Sequence, residues 1–160
     1  MKILLNKKTV KRVQDEIARF DPKLKVIALN DTARSANDAA STLNCDVGAI
    51  VKSLLFKTDD SFIICLISGD KRCSLNKLKL FLDKKNVCMA SAKEVKDNTG
   101  FSIGGVSPVG LIKKIDVIVD KSLNRFENIF AAAGHPNCVF KISYEQLVKI
   151  TNGLEKEIVE

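Results

Sequence analysis

Tryptophan is absent from this chain, histidine occurs once, and proline occurs only three times. A single His with five scattered Cys excludes a Cys2His2 zinc finger, and no H-E-x-x-H helix can be drawn. Eight Phe and one Tyr leave few rings for a stacking platform of the kind that holds long single-stranded nucleic acid. The longest apolar run is Phe62–Ile67. That is far below the ~20 residues of a membrane span, and the start of the chain lacks the apolar core of a signal peptide. No pair among Cys45, Cys65, Cys73, Cys88 and Cys138 has C-x-x-C spacing. All five therefore read as reduced thiols in a cytoplasmic protein. Neither a phosphate-binding G-x-x-x-x-G-K-[ST] nor a G-x-G-x-x-G is present. Gly105 to Val109 misses the G-x-S-x-G elbow at its last position. No cofactor or metal is expected.

What remains is a 160-residue chain, 46% apolar and 28% charged, with net charge +7. That length reads as one domain over 1–160, large enough to fold around its own core. The positive balance favours a phosphate-rich partner, or it marks an ordinary lysine-rich surface. Val10, Val13, Ile17 and Phe20 recur at helical spacing within 7–20, and Asp21-Pro22 ends that helix. Strands are expected at 24–29, 50–57, 62–68, 115–119, 128–133 and 138–142. Ser35 caps a helix that ends near Asn44, and 76–85 forms another. Ser91 with Glu94, and Ser143 with Gln146, form capping boxes that open two more. Strands and helices mix without strict alternation. The expected class is α+β, with a mixed or partly barrel-like sheet.

Three places could carry chemistry. Ile50, Lys52, Leu54 and Phe56 share one strand face, where a lysine meets an anion, loses its proton or snorkels to water. Thr99–Gly110 holds four glycines and Pro108. Gly104 and Gly105 could aim N–H donors at a developing oxyanion, or simply make two turns. The lone His135 lies in Gly134-His135-Pro136-Asn137, which reads as a loop.

These elements, in this order, resemble the YbaK/EbsC family. That family comprises free-standing aminoacyl-tRNA deacylases and the editing insertion of bacterial prolyl-tRNA synthetase. The matching residues are Ile50-Val51-Lys52-Ser53-Leu54-Leu55-Phe56, then Thr99-Gly100-Phe101 with Gly104-Gly105-Val106-Ser107-Pro108 and Gly110, then Ala133-Gly134-His135. Thr32–Ser35 before an alanine-rich helix also fits, and the similarity covers about residues 24–152. The resemblance implies an α+β fold with a strongly twisted, barrel-like mixed sheet flanked by helices. It implies hydrolysis of the ester joining a wrong amino acid to the tRNA 3′ adenosine, on tRNA-Pro or a related tRNA.

Under that resemblance Lys52 positions the 3′ end and Gly104–Pro108 holds the carbonyl. Lys52, Gly104, Gly105 and His135 become the catalytic set. Thr32, Ser53, Val106, Ser107, Pro108 and Gly134 become substrate-binding residues. The implied partners are the acceptor end of mischarged aminoacyl-tRNA and an aminoacyl-tRNA synthetase, with no membrane. The competing readings are a module that binds aminoacyl-tRNA or a synthetase without turnover, and a protein-interaction domain with a vestigial pocket.

Overall fold

In the computed structural model, which describes residues 2–30 and 35–160, a short helix α1 (Lys2–Leu5) precedes α2 (Lys8–Phe20). Val10, Val13 and Ile17 fall on one side of α2 and are fully buried. The helix stops where expected, at the extended Asp21 before Pro22. The next strand, β1 (Val26–Ala28), is shorter than the expected 24–29. Side chains and turns take its outer main-chain groups: Gln14 Oε1 accepts from Val26 N at 2.9 Å, and Leu24 N donates to Asp21 O.

Helix α3 (Ala36–Leu43) is capped by Ser35 Oγ, which accepts from Asp38 N, and ends at a left-handed Asn44. A 3-10 turn at Val47–Ala49 leads into β2 (Val51–Lys57), which hairpins into β3 (Phe62–Ser68). Helix α4 (Leu75–Leu82) ends three residues before the expected Lys85 because Asp83 turns left-handed and closes the last carbonyls. A two-residue β4 (Cys88–Met89) and α5 (Ala92–Thr99) follow. The Ser91–Glu94 capping box of α5 is present, and Glu94 also pairs with Lys57 at the end of β2 at 2.9 Å. Then come β5 (Asp116–Asp120), a 3-10 turn at Lys121–Arg125, β6 (Ile129–His135), β7 (Cys138–Ile142), α6 (Tyr144–Thr151) and β8 (Leu154–Lys156).

The architecture is mixed α+β, with six helices and two sheets among the described residues. One sheet runs β4-β2-β3-β5-β8, antiparallel from β4 to β3 and parallel from β3 to β8. The other, β1-β7-β6, is antiparallel. A parallel bridge between Ile50 and Phe130 stitches β6 to the start of β2 and curls the two sheets around one core. Leu55, Ile64, Leu66 and Val119 meet Ile129, Ala131, Phe140 and Ile142 there. The other face of β3 is covered too: Ile63, Cys65 and Ile67 pack with Leu78, Val87 and Ile158. Burial on both faces explains why Phe62–Ile67 reads as a continuous apolar run rather than an alternating one. Among the described residues no helix is long and apolar enough to cross a membrane.

Candidate active site

β2 is paired along its whole length with β3, but its other edge is shared. The Ile50–Phe130 bridge holds one end of that edge, and Ala90 N donates to Leu55 O at 3.0 Å near the other. Leu55 therefore directs its main-chain groups toward that edge. By the two-residue period of a strand, Ser53 does the same. Between the two attachments no described strand lies beside Ser53. A cavity of about 240 Å³ opens in that gap.

The floor of the cavity is the β2 edge, with Lys52, Ser53 and Leu54. One wall comes from α3 through Ala36 and Ala39, and another from Phe130 and Ala132 of β6. Ile103, Gly104 and Val106 cover it. Val51, Ser53 and Leu55 point to the inner face, and the Ser53 hydroxyl is sealed from solvent without a hydrogen-bond partner.

The glycine-rich segment is a built cover. Ser102–Gly105 is a turn, with Gly105 N donating to Ser102 O at 2.9 Å. That N–H is spent inside the loop. The N–H groups of Gly104 and Val106 make no hydrogen bond among the described residues, and both residues line the cavity. Gly104 has φ +92°, so a side chain there is strained. Gly105 lies backbone to backbone on β6: an added Cβ would sit 2.9 Å from His135 Cα. Ser107 is fully buried and its Oγ accepts from Val109 N at 3.1 Å; Pro108 is buried beside it. Arg12 of α2 ties down the far end. Its Nε donates to Gly110 O at 2.5 Å, and its guanidinium lies 4.7 Å from the Phe101 ring centre.

The sequence model of the aminoacyl-tRNA editing domain fits residues 30–150. The chain belongs to that editing-domain family. A proline–tRNA ligase of Thermosipho africanus (strain TCF52B) is 35% identical over 95 residues, which is 59% of this chain and 17% of the ligase. This editing domain thus spans about a sixth of such a ligase's length. The uncharacterized protein YwhH of Bacillus subtilis (strain 168) is 29% identical over 140 residues, 87% of this chain and 88% of that one. A solved structure described as "a putative trans-editing enzyme for prolyl tRNA synthetase" superposes with TM-score 0.91 at 31% identity, covering 96% of this chain and 98% of that one.

Within the editing domain, the structure brings Lys52, Ser53, Gly104 and Val106 to one cavity. Gly105, Ser107 and Pro108 stand behind its cover. Thr32 lies outside the described residues. Lys52 shares its strand face with Leu54 and Phe56, as its spacing requires, and half-emerges at the rim. Its Nζ donates to Lys71 O at 2.9 Å, in a second groove that it also lines.

Two expectations change at the end of β6. His135 is the last residue of that strand, paired with Cys138, rather than part of a loop, and Pro136 rather than His135 meets the cavity. Gly134 does not line the cavity either. A bulge between Ala132 and His135 gives it φ +89° and turns it to α2, where Thr9 Oγ1 donates to its carbonyl at 2.9 Å. A Cβ there would lie 2.7 Å from Thr9 O, so glycine permits helix docking.

His135 Nδ1 accepts from Asn137 N at 3.0 Å, which leaves the ring proton of the neutral form on Nε2. Partial burial, with the charge of Lys7, holds its pKa below the ordinary histidine value. Glu94 is held down to about 2 by the Ser91 main-chain N–H and then by Lys57, so the cap that launches α5 toward the cover stays ionised across the working range.

Sequence reading missed the cavity residues Ala36 and Ala39 on α3, Phe130 and Ala132 on β6, and the anchor Arg12. The small pair at i, i+3 was the one available signal for the α3 wall.

Proposed function

We propose that this chain, acting as one editing unit in the cytoplasm, hydrolyses the ester of a mischarged aminoacyl-tRNA in trans. The observation that carries this reading is the cavity between the open edge of β2 and the unpaired N–H groups of Gly104 and Val106. Its ~240 Å³ gives room for a small aminoacyl ester. Membership of the editing family and likeness to prolyl-tRNA ligases support tRNA-Pro, or a related tRNA, as the carrier.

An aminoacyl ester is already activated, so placement and charge stabilisation can supply most of the rate. Water adds to the ester carbonyl. Its oxygen becomes an oxyanion facing Gly104 N–H and Val106 N–H, each worth ~3 kcal/mol in favourable cases. The bond from carbonyl carbon to O3′ then breaks. The water proton passes through the neighbouring ribose hydroxyl to O3′, leaving a free amino acid and an intact tRNA end. Lys52 holds the terminal nucleotide by a charge-assisted hydrogen bond to its phosphate. His135 Nδ1 is occupied and the ring is off the cavity wall, so His135 supports Gly105 and the cover instead of taking the proton. The acceptor end, or a partner synthetase, selects the tRNA.

The test is the purified protein with tRNA-Pro charged with Ala, Cys, Ser or Thr. At least one should be deacylated, and Lys52→Ala should lower the rate a hundredfold or more. Full activity in Lys52→Ala overturns the role of Lys52. Tight binding of every charged tRNA without turnover makes the chain a binding module instead.

A further inference from the structure

A second concavity, of about 430 Å³, lies on the far face of β2. Its floor is apolar, formed by Leu54, Phe56 and Ile67, and its rim carries Lys52, Lys71 and Arg72. It shares Lys52, Leu54 and Met89 with the catalytic cavity, so the two depressions meet around the open edge of β2. We infer that this groove holds the sugar–phosphate backbone of the single-stranded 3′ end as it leaves the cavity. This inference rests on the editing reading above and names the part of the tRNA that the second depression takes.

Three observations converge on it. The first is charge. Lys52, Lys71 and Arg72 gather in the lining of one groove, and among the described residues no carboxylate lies within 4 Å of their cationic groups. Lys52 Nζ is held by the carbonyl of Lys71, a neutral acceptor that leaves its charge unspent.

The second is shape. The groove shares Lys52, Leu54 and Met89 with the cavity, so a chain whose 3′ end sits in the cavity passes into it around the β2 edge. Its apolar floor suits ribose and base faces, while three cations in its lining suit phosphodiesters.

The third is the boundary. Glu160 also lines the groove, and its N–H donates to Arg72 O at 2.9 Å. Its carboxylate repels phosphate, so attraction in this groove falls to Lys52, Lys71 and Arg72.

The experiment measures binding of an uncharged RNA oligonucleotide ending in CCA, as a function of salt, to the wild-type chain and to the double variant Lys71→Ala/Arg72→Ala. Loss of two phosphate contacts should weaken binding about tenfold or more at low salt. It should also reduce the slope of log affinity against log salt by about 1.4. The charge reversal Lys71→Glu/Arg72→Glu should weaken binding further, and circular dichroism melts check that both variants fold.

In a second arm, the wild type should deacylate a charged acceptor minihelix faster than a bare aminoacyl-adenosine ester, and the double variant should lose that preference. Unchanged affinity and slope in both folded variants overturn the inference. Competition by inorganic phosphate or AMP as strong as that of the oligonucleotide also overturns it, in favour of a small-anion site. The binding arm needs no hydrolysis, so failure of the editing reading, with no ester cleaved, stays distinguishable from failure of the groove.

Discussion

Ser53 places an unsatisfied polar group beside the cavity. Its hydroxyl is buried beside the cavity and bonded to nothing among the described residues. A buried polar group left in that state costs about 1–3 kcal/mol relative to a satisfied one. In the proposed complex the Ser53 side chain rotates toward the cavity, where a polar group of the substrate supplies the missing partner. Ser53→Ala should therefore leave thermal stability unchanged or raise it by up to about 1 kcal/mol, while raising KM for the charged tRNA. A clear loss of stability in a urea melt would mean that the hydroxyl already has a structural partner. Lys52 differs in kind. Its position on the Leu54–Phe56 face was legible from strand alternation, but the turn of its ammonium toward Lys71 was not, because residues 71 and 72 reach it only through the hairpin of β2 and β3.

At the scale of elements, the cover of the cavity is positioned by a helix distant in sequence. Arg12 ties Gly110 and Phe101 to α2, and the capped α5 delivers the chain into the cover. Arg12→Ala removes a charge-assisted hydrogen bond and a cation–π contact, together about 2–3 kcal/mol. The expected outcome is a lower Tm and faster amide exchange across 100–110, with a fall in kcat, since in the proposed mechanism misplacing the Gly104 and Val106 donors weakens transition-state binding. Unaltered exchange in that segment would show that the cover holds without Arg12.

The helices were readable because their ends carry local chemistry. Ser35, Ser91 and Ser143 each cap by bonding a residue three positions on, and the sequence displays that spacing directly. The short strands were not. β4 has two residues and β8 three, all exposed, so neither shows the alternation that identifies a strand. β6 was read too short for a similar reason: its bulge breaks the period just before His135, and the Gly-His-Pro sequence imitates a loop.

At the scale of the molecule, a few polar links fasten the tail to the end of β5 and the start of α4. Asp120 is 1% exposed, with one carboxylate oxygen accepting from Ser122 N at 2.9 Å and the other from Ile158 N at 2.7 Å. The tail continues into the 72–77 region, where Ile158 O accepts from Ser74 N and Lys77 Nζ donates to Val159 O. Asp120→Ala would leave two N–H groups unpaired and cost on the order of 3 kcal/mol. That is a large share of the usual 5–15 kcal/mol of a domain. The measurement is the urea midpoint, and a shift under 1 kcal/mol would show the tail to be held by other links. No sequence pattern announces Asp120; it reads as an ordinary strand end until the tail is seen returning to it.

The bond from Thr9 to Gly134 joins positions 125 residues apart. Contacts of such separation form only after a long loop has closed, and chains rich in them fold slowly. On a ribosome, α2 is complete long before its docking partner exists, so Val10, Val13 and Ile17 must wait for β6 with their apolar side uncovered. The same delay governs the cavity, whose walls run from α3 to β7. The cavity is therefore complete only late in synthesis, after β7 has been made.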